Sequence, residues 1–196
     1  MPHVKKKTIG DFMRILLCLV GLAVGAWIVP LPASSLTGDL TNDPAKVVKK
    51  YLSLDKRGVR LTAHSYEAVK PYAAWEQEEP VWERFVVIRD YAVSDDVTQW
   101  DIVSGTEARI PVTFQVLGIV HVETATFIRA PREEVLSIRI RAVDNHWKMV
   151  SPVFPPHVGR SRLADFVKDA MLHETDDDRA RTLRRLREDL VNAGRS

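Results

Sequence analysis

The hydrophobic positions of this chain change their rhythm several times between the two ends. From Ile15 to Leu31 (ILLCLVGLAVGAWIVPL) they run without a charge, preceded by Lys5, Lys6, Lys7 and Arg14 and followed by Pro32, Ala33, Ser34 and Ser35. A basic head, an apolar stretch and a small-residue tail make the layout of a secretory signal, with Ala33 and Ser35 spaced as a signal peptidase requires. The same residues suit a retained anchor, because Phe12 to Leu31 reaches the roughly 20 residues a spanning helix needs if Arg14 extends to the headgroups. A buried core helix is the third reading. The first two share one consequence: a basic head held in the cytoplasm puts the chain from about residue 36 onward on the extracytoplasmic side of a bacterial inner membrane. Residues 1–35 are therefore read as signal peptide or single transmembrane anchor. The polar, turn-rich residues 36–42 are read as a linker.

A helical period follows. Asp43 is a good N-cap and Pro44 suits the first helical position. Val47, Val48, Tyr51, Leu52 and Leu54 form one face, Lys46, Lys49, Lys50 and Lys56 the other, and Gly58 stops the helix. Thr62 to Glu79 reads as a second helix, broken near Pro71. After Pro80 the period shortens to two. Val81–Val93 is rich in β-branched and aromatic residues. Arg109–Val122 alternates with Ile110, Val112, Phe114 and Val116 on one face, and Val135–Val143 alternates likewise. Thr124–Arg129 reads as a further short strand. Asp144-Asn145 is a turn signal that predicts a hairpin between Val135–Val143 and Trp147–Phe154. Arg162–His173 and a segment capped by Asp176 and running to about Asn192 read as closing helices. Helices first and strands after predict an α+β domain over residues 43–157, with a helical extension over 158–196.

Composition narrows this only a little. The chain of 196 residues is 45% hydrophobic, enough for one domain with a real core, and its net charge of +2 does not call for a polyanion. The single cysteine, Cys18, lies in the apolar run behind Leu17, where a lipid-acceptor site wants a small residue, and the rest of the chain can form no disulfide. No histidine pair has the spacing of a metal site, and the nine glycines include no phosphate-cradling cluster. No metal and no cofactor is therefore called for. In the last helix Arg181, Arg184 and Arg185 are interleaved with acids and lack aromatics, so nucleic acid is not expected.

The opening helix PAKVVKKYLSLDKRG (Pro44–Gly58) and the closing hairpin VLSIRIRAVDNHWKMVSP (Val135–Pro152) together resemble the nuclear transport factor 2-like superfamily. There, a helix packs in the mouth of a strongly curved antiparallel sheet, and the last strand often carries a Trp-basic-aliphatic sequence such as Trp147-Lys148-Met149. The likeness covers roughly residues 43–154. It implies a cone-shaped α+β fold. Members include isomerases, dehydratases and cyclases working in the cone, domains without known chemistry, and periplasmic domains behind one membrane helix. The fold alone does not choose among them.

An isomerase or lyase would need a carboxylate or His as base and a Tyr or acid facing the developing oxyanion. Asp90, His64 and Tyr66 are the candidates, with His121 at the end of a strand, although no family pairing maps onto them. Tyr72, Trp75 and Phe114 are candidate lining for an apolar ligand. Leu183, Leu186 and Leu190 form a stripe that needs a cover from its own domain, a second copy or a partner protein. The leading expectation is a non-enzymatic exported or anchored domain that binds a partner protein or a small apolar ligand. A cone-pocket isomerase or lyase, and a membrane-anchored scaffold subunit of a secretion or envelope complex, are the alternatives.

Overall fold

The computed structural model describes residues 43–194, apart from the side chains of Ala63 and His64. The targeting segment and the linker lie outside the described residues. Among the described residues, no helix is long and apolar enough to cross a membrane.

Helix α1 spans Pro44–Lys56 and forms as its sequence requires. The Asp43 carboxylate accepts hydrogen bonds from the Ala45 and Lys46 amides, proline sits in the first turn, and Val47, Val48, Tyr51 and Leu52 are buried. Gly58 takes the left-handed conformation (φ 75°) that lets the chain turn away. The expected second helix is corrected. Only Ala63–Tyr66 (α2) and a 3-10 turn at Lys70–Tyr72 are helical. Beyond Tyr72 the chain is extended, and the Ala74 and Glu76 amides donate to the carbonyls of Met149 and Val150 at 2.8 and 3.1 Å. A free strand edge competes there for the amides that a proline-interrupted helix could not use well.

The strands are β1 (Arg84–Val93), β2 (Asp101–Ser104), β3 (Glu107–His121), β4 (Thr126–Val143), β5 (His146–Ser151) and β6 (His157–Gly159). They form one strongly curled sheet in the order β5-β4-β3-β1-β6, with β2 paired to β3. The sheet is mixed rather than wholly antiparallel, because β6 runs parallel to β1 after Pro155 and Pro156 return the chain beside it. The segments expected at Thr124–Arg129 and Val135–Val143 are one continuous strand, β4. Pro131 is absorbed where the β3–β4 register shifts between Val116 and Gly118, on a stretch of β4 that β5 does not reach. Asp144 and Asn145 both have positive φ and close the β4–β5 hairpin as expected.

Alternation along β1 and β3 sends side chains to two cores. Val86, Ile88, Val112 and Phe114 pack with Val48, Tyr51 and Leu52 of α1 on one face, joined by Ile138, Ile140 and Met149. Val87, Leu117 and Val120 pack on the other face against α3 (Arg160–Leu172) and α4 (Asp177–Asn192). The fold is thus α+β, with a curled mixed sheet covered by helices.

Candidate functional site

The inner core, beneath α1, holds a charged cluster in place of a pocket. Asp55 falls four residues after Tyr51 and shares its buried face, and Arg60 follows in the 3-10 turn Val59–Leu61. Arg60 reaches Asp55 Oδ2 at 3.3 Å, the Phe154 carbonyl at 2.8 Å and, through Nε at 3.0 Å and also Nη2, Glu79 Oε1. Tyr66 and Trp82 donate to the same Glu79 carboxylate at 2.6 and 2.7 Å. The His157 amide donates to Asp55 Oδ2 at 2.9 Å, and its ring lies 4.3 Å from that of Phe114. Because the Pro155 carbonyl can only accept, the contact of 2.8 Å to His157 Nδ1 places the proton on that nitrogen.

Burial dominates the protonation of these groups. It pushes the Asp55 carboxyl up to about 6, with the Arg60 charge only partly offsetting it. It pushes the His157 imidazole down to about 4 and raises the Tyr51 hydroxyl. Tyr66 is raised to about 12 by burial and by its bond to Glu79. Glu79 also loses hydration, yet Arg60 and the donors Tyr66 and Trp82 outweigh that loss and hold it below the usual range. Tyr51 Oη, Asp55 Oδ1 and His157 Nε2 are buried without a hydrogen-bond partner. A Tyr, a carboxyl near 6 and a His are the ingredients of acid–base catalysis, but none of the three lines a principal surface cleft. The cluster joins α1, the turn after it, the Glu79 segment and the 154–157 turn, and its evident work is to hold them together.

The open feature is a groove of about 1000 Å³ between the polar face of α1, the outer positions of β1 and the first turn of α3. Eight cationic side chains line it (Lys46, Lys49, Lys50, Lys56, Arg57, Arg89, Arg160 and Arg162), against one carboxylate, Asp90. Lys56 Nζ pairs with Asp90 at 2.7 Å, while Lys46 and Lys49 pair with Asp43, at 3.8 Å, and with Asp95, both outside the groove. Arg57, Arg160 and Arg162 donate to the carbonyls of Ser53, Val191 and Arg57, which leaves their charge unneutralised. Lys50 and Arg89 have no carboxylate partner among the described residues. Ser53 and Ser161 add hydroxyls, and Ile88, Tyr91 and Val93 form the floor.

The residues singled out from sequence are distributed as follows. Asp90 is at the groove, but the hydrogen bond from Lys56 holds its carboxyl below the usual range, the opposite of what a general base needs. Tyr66 is committed to Glu79. His64 lies in α2, with its side chain outside the described set, and His121 ends β3 half-buried. Phe114 is fully buried, and Trp75 packs edge-on against Tyr51 and Phe154 at 5.7 and 6.0 Å, while Tyr72 rests on the same core. These aromatics fill the interior and line none of the principal clefts. Leu183, Leu186 and Leu190 are corrected as a partner stripe: they are buried against α3 and the sheet, so their own domain covers them. Among the described residues, no cluster of His, Cys, Asp and Glu is suited to a metal ion. The lysines of α1 were legible as a polar face. Arg160 and Arg162 were not, because only the β6–α3 corner brings them beside α1.

Compared with protein-family models, curated proteins and solved structures, the chain matches none of them.

Proposed function

We propose that residues 43–194 form a non-enzymatic binding domain of the nuclear transport factor 2-like cone type. The apolar N-terminal segment exports it or holds it at the membrane, and its basic groove takes an anionic partner on the extracytoplasmic side. The observation that carries this reading is the groove, where eight cations face one carboxylate in a chain whose overall charge is nearly balanced. Lining of that kind supplies long-range attraction and favours an anion over an apolar ligand. The packed aromatic interior and the burial of Tyr51, Asp55 and His157 speak against turnover in the cone.

The test uses the full chain in nanodiscs of zwitterionic lipid. The reactivity of Lys46, Lys49 and Lys50 toward a water-soluble amine reagent is followed by mass spectrometry as polyglutamate, inorganic phosphate or anionic lipid is supplied. At least one of these anions is expected to protect the groove lysines but not Lys168 on the outer face of α3, with protection lost at high salt. Unchanged labelling with all three would sink the proposal.

A further inference from the structure

We infer that the groove's partner is a bilayer surface carrying anionic phospholipid, an inference that rests on the binding reading above and names its ligand. Three observations carry it. First, the surface is made of cations rather than of anchors for a protein. The cores of protein interfaces are depleted of lysine and enriched in large apolar residues, whereas here four lysines line the groove and the two aliphatics of the floor, Ile88 and Val93, are already buried. Second, the groove is open to solvent, with the Lys46, Lys49 and Lys56 side chains 81%, 41% and 33% exposed. A broad cationic face of this kind attracts an anionic lipid surface, each Lys or Arg close to that surface adding to the binding. Third, an apolar segment held at the membrane, as proposed above, would keep the groove near it. The apolar run ends at Leu31 and α1, which carries four of the eight cations, begins at Pro44. The residues between them span at most about 43 Å when fully extended, at up to roughly 3.6 Å each. If the apolar segment stays attached, that span bounds how far α1 can lie from the headgroups. If it is removed, the same face returns the free domain to the membrane it crossed. A nucleic acid fits less well, since Tyr91 is the groove's one aromatic and no row of stacking platforms interleaves the cations.

The experiment compares the full chain in nanodiscs of phosphatidylcholine alone with nanodiscs in which phosphatidylglycerol replaces part of it. The readout is labelling of Lys46, Lys49 and Lys50, with Lys168 as internal control. Severalfold protection of the groove lysines in the anionic discs, reversed by high salt, is the expected result. In the double variant Arg89→Glu/Arg162→Glu, which leaves every labelled lysine in place, the protection should be lost, since two cations are removed and two like charges face the lipid. The urea midpoint and tryptophan emission of that variant establish that it is folded. Equal labelling in the two disc types overturns the inference. If polyglutamate or inorganic phosphate protects the lysines in phosphatidylcholine discs while phosphatidylglycerol does not, the lipid assignment falls and the anionic-partner reading stands. If no anion protects them, both fall.

Discussion

The buried pair Asp55 and His157 makes a pH dependence that can be worked through. His157 sits near 4 in the folded domain against about 6.5 in an unfolded chain, a gap of about 2.5 pH units that corresponds to about 3 kcal/mol. Its folded value is depressed, so its contribution is intact above pH 6.5 and is lost as the pH falls from 6.5 toward 4. Asp55 sits near 6 against 3.8, again about 3 kcal/mol, but with the opposite sign. Its folded value is raised, so acidification from 6 to 3.8 favours the folded state. In the wild-type chain the two nearly cancel, because the unfolded state takes its proton on His157 over the interval in which the folded state takes one on Asp55. Substitution uncovers each half. Relative to wild type, Asp55→Asn should lose about 3 kcal/mol more stability at pH 4 than at pH 7, and His157→Phe should gain about as much over the same range. Burial is the first cause of both shifts, and each substitution leaves the other group buried, so the other titration stays in place. The assay is urea unfolding of the full chain in mild detergent at a series of pH values, followed by tryptophan emission. Differences from wild type are then taken at each pH, so that titrations common to all three proteins drop out. Difference curves of the same sign, or a flat curve for His157→Phe, would refute the argument.

Two further outcomes follow from the cores. Arg60→Met leaves Asp55 buried beside one amide and strands the Phe154 carbonyl, so it should cost about 3–5 kcal/mol in urea unfolding, the range found on removing one partner of a buried pair. Arg60→Lys should recover little of that, because an ammonium cannot fork between two carboxylates and a carbonyl. Leu190→Ala should cost about 2–5 kcal/mol, since this side chain is fully buried beneath α3, and should leave protection of the groove lysines by anions unchanged. Loss of anion binding without loss of stability would instead return the leucine stripe to the role of a docking surface.

The parts of the fold legible in sequence are those where independent local signals agree. For α1 the Asp43 cap, Pro44, the apolar period and Gly58 all point to one helix, and it forms. The β4–β5 hairpin is similarly overdetermined by alternation and by Asp144-Asn145. Legibility fails where a long-range partner decides. Tyr66, Tyr72 and Trp75 suggest one side of a helix, but the amides after Pro71 find the edge of β5 instead. Thr124–Arg129 and Val135–Val143 read as two strands, yet a bulge against β3 carries one strand through Pro131. The leucine stripe of α4 is plain in sequence, whereas what covers it is a fact about α3. The charged core left one mark: Asp55 interrupts the apolar stripe of α1 four residues after Tyr51, and a carboxylate in such a stripe signals a buried partner. Arg60 and Glu79 carry no comparable mark, because Arg60 is held by the Phe154 carbonyl and Glu79 by Arg60, Tyr66 and Trp82.

The groove lay beyond sequence reading for a different reason: a solvated helix face and a binding face have the same composition. What separates them is how the charges are distributed in space. With 28 basic and 26 acidic residues in the chain, a surface selected for solubility alone would mix the two signs, yet eight cations meet one carboxylate here. Crowding like charges destabilises the folded state by self-repulsion, so the arrangement works against the domain when the groove is empty. Reversing one unmatched cation should then separate stability from binding. Arg89→Glu lies among cations with no carboxylate to repel it other than Asp90, so it should raise the urea midpoint of the unliganded chain and at the same time weaken protection by anions. Both effects should shrink together as salt is added, because both are exposed Coulomb terms. A variant that lost stability and binding in parallel would mean that Arg89 supports the fold, and the charge asymmetry would no longer argue for a ligand.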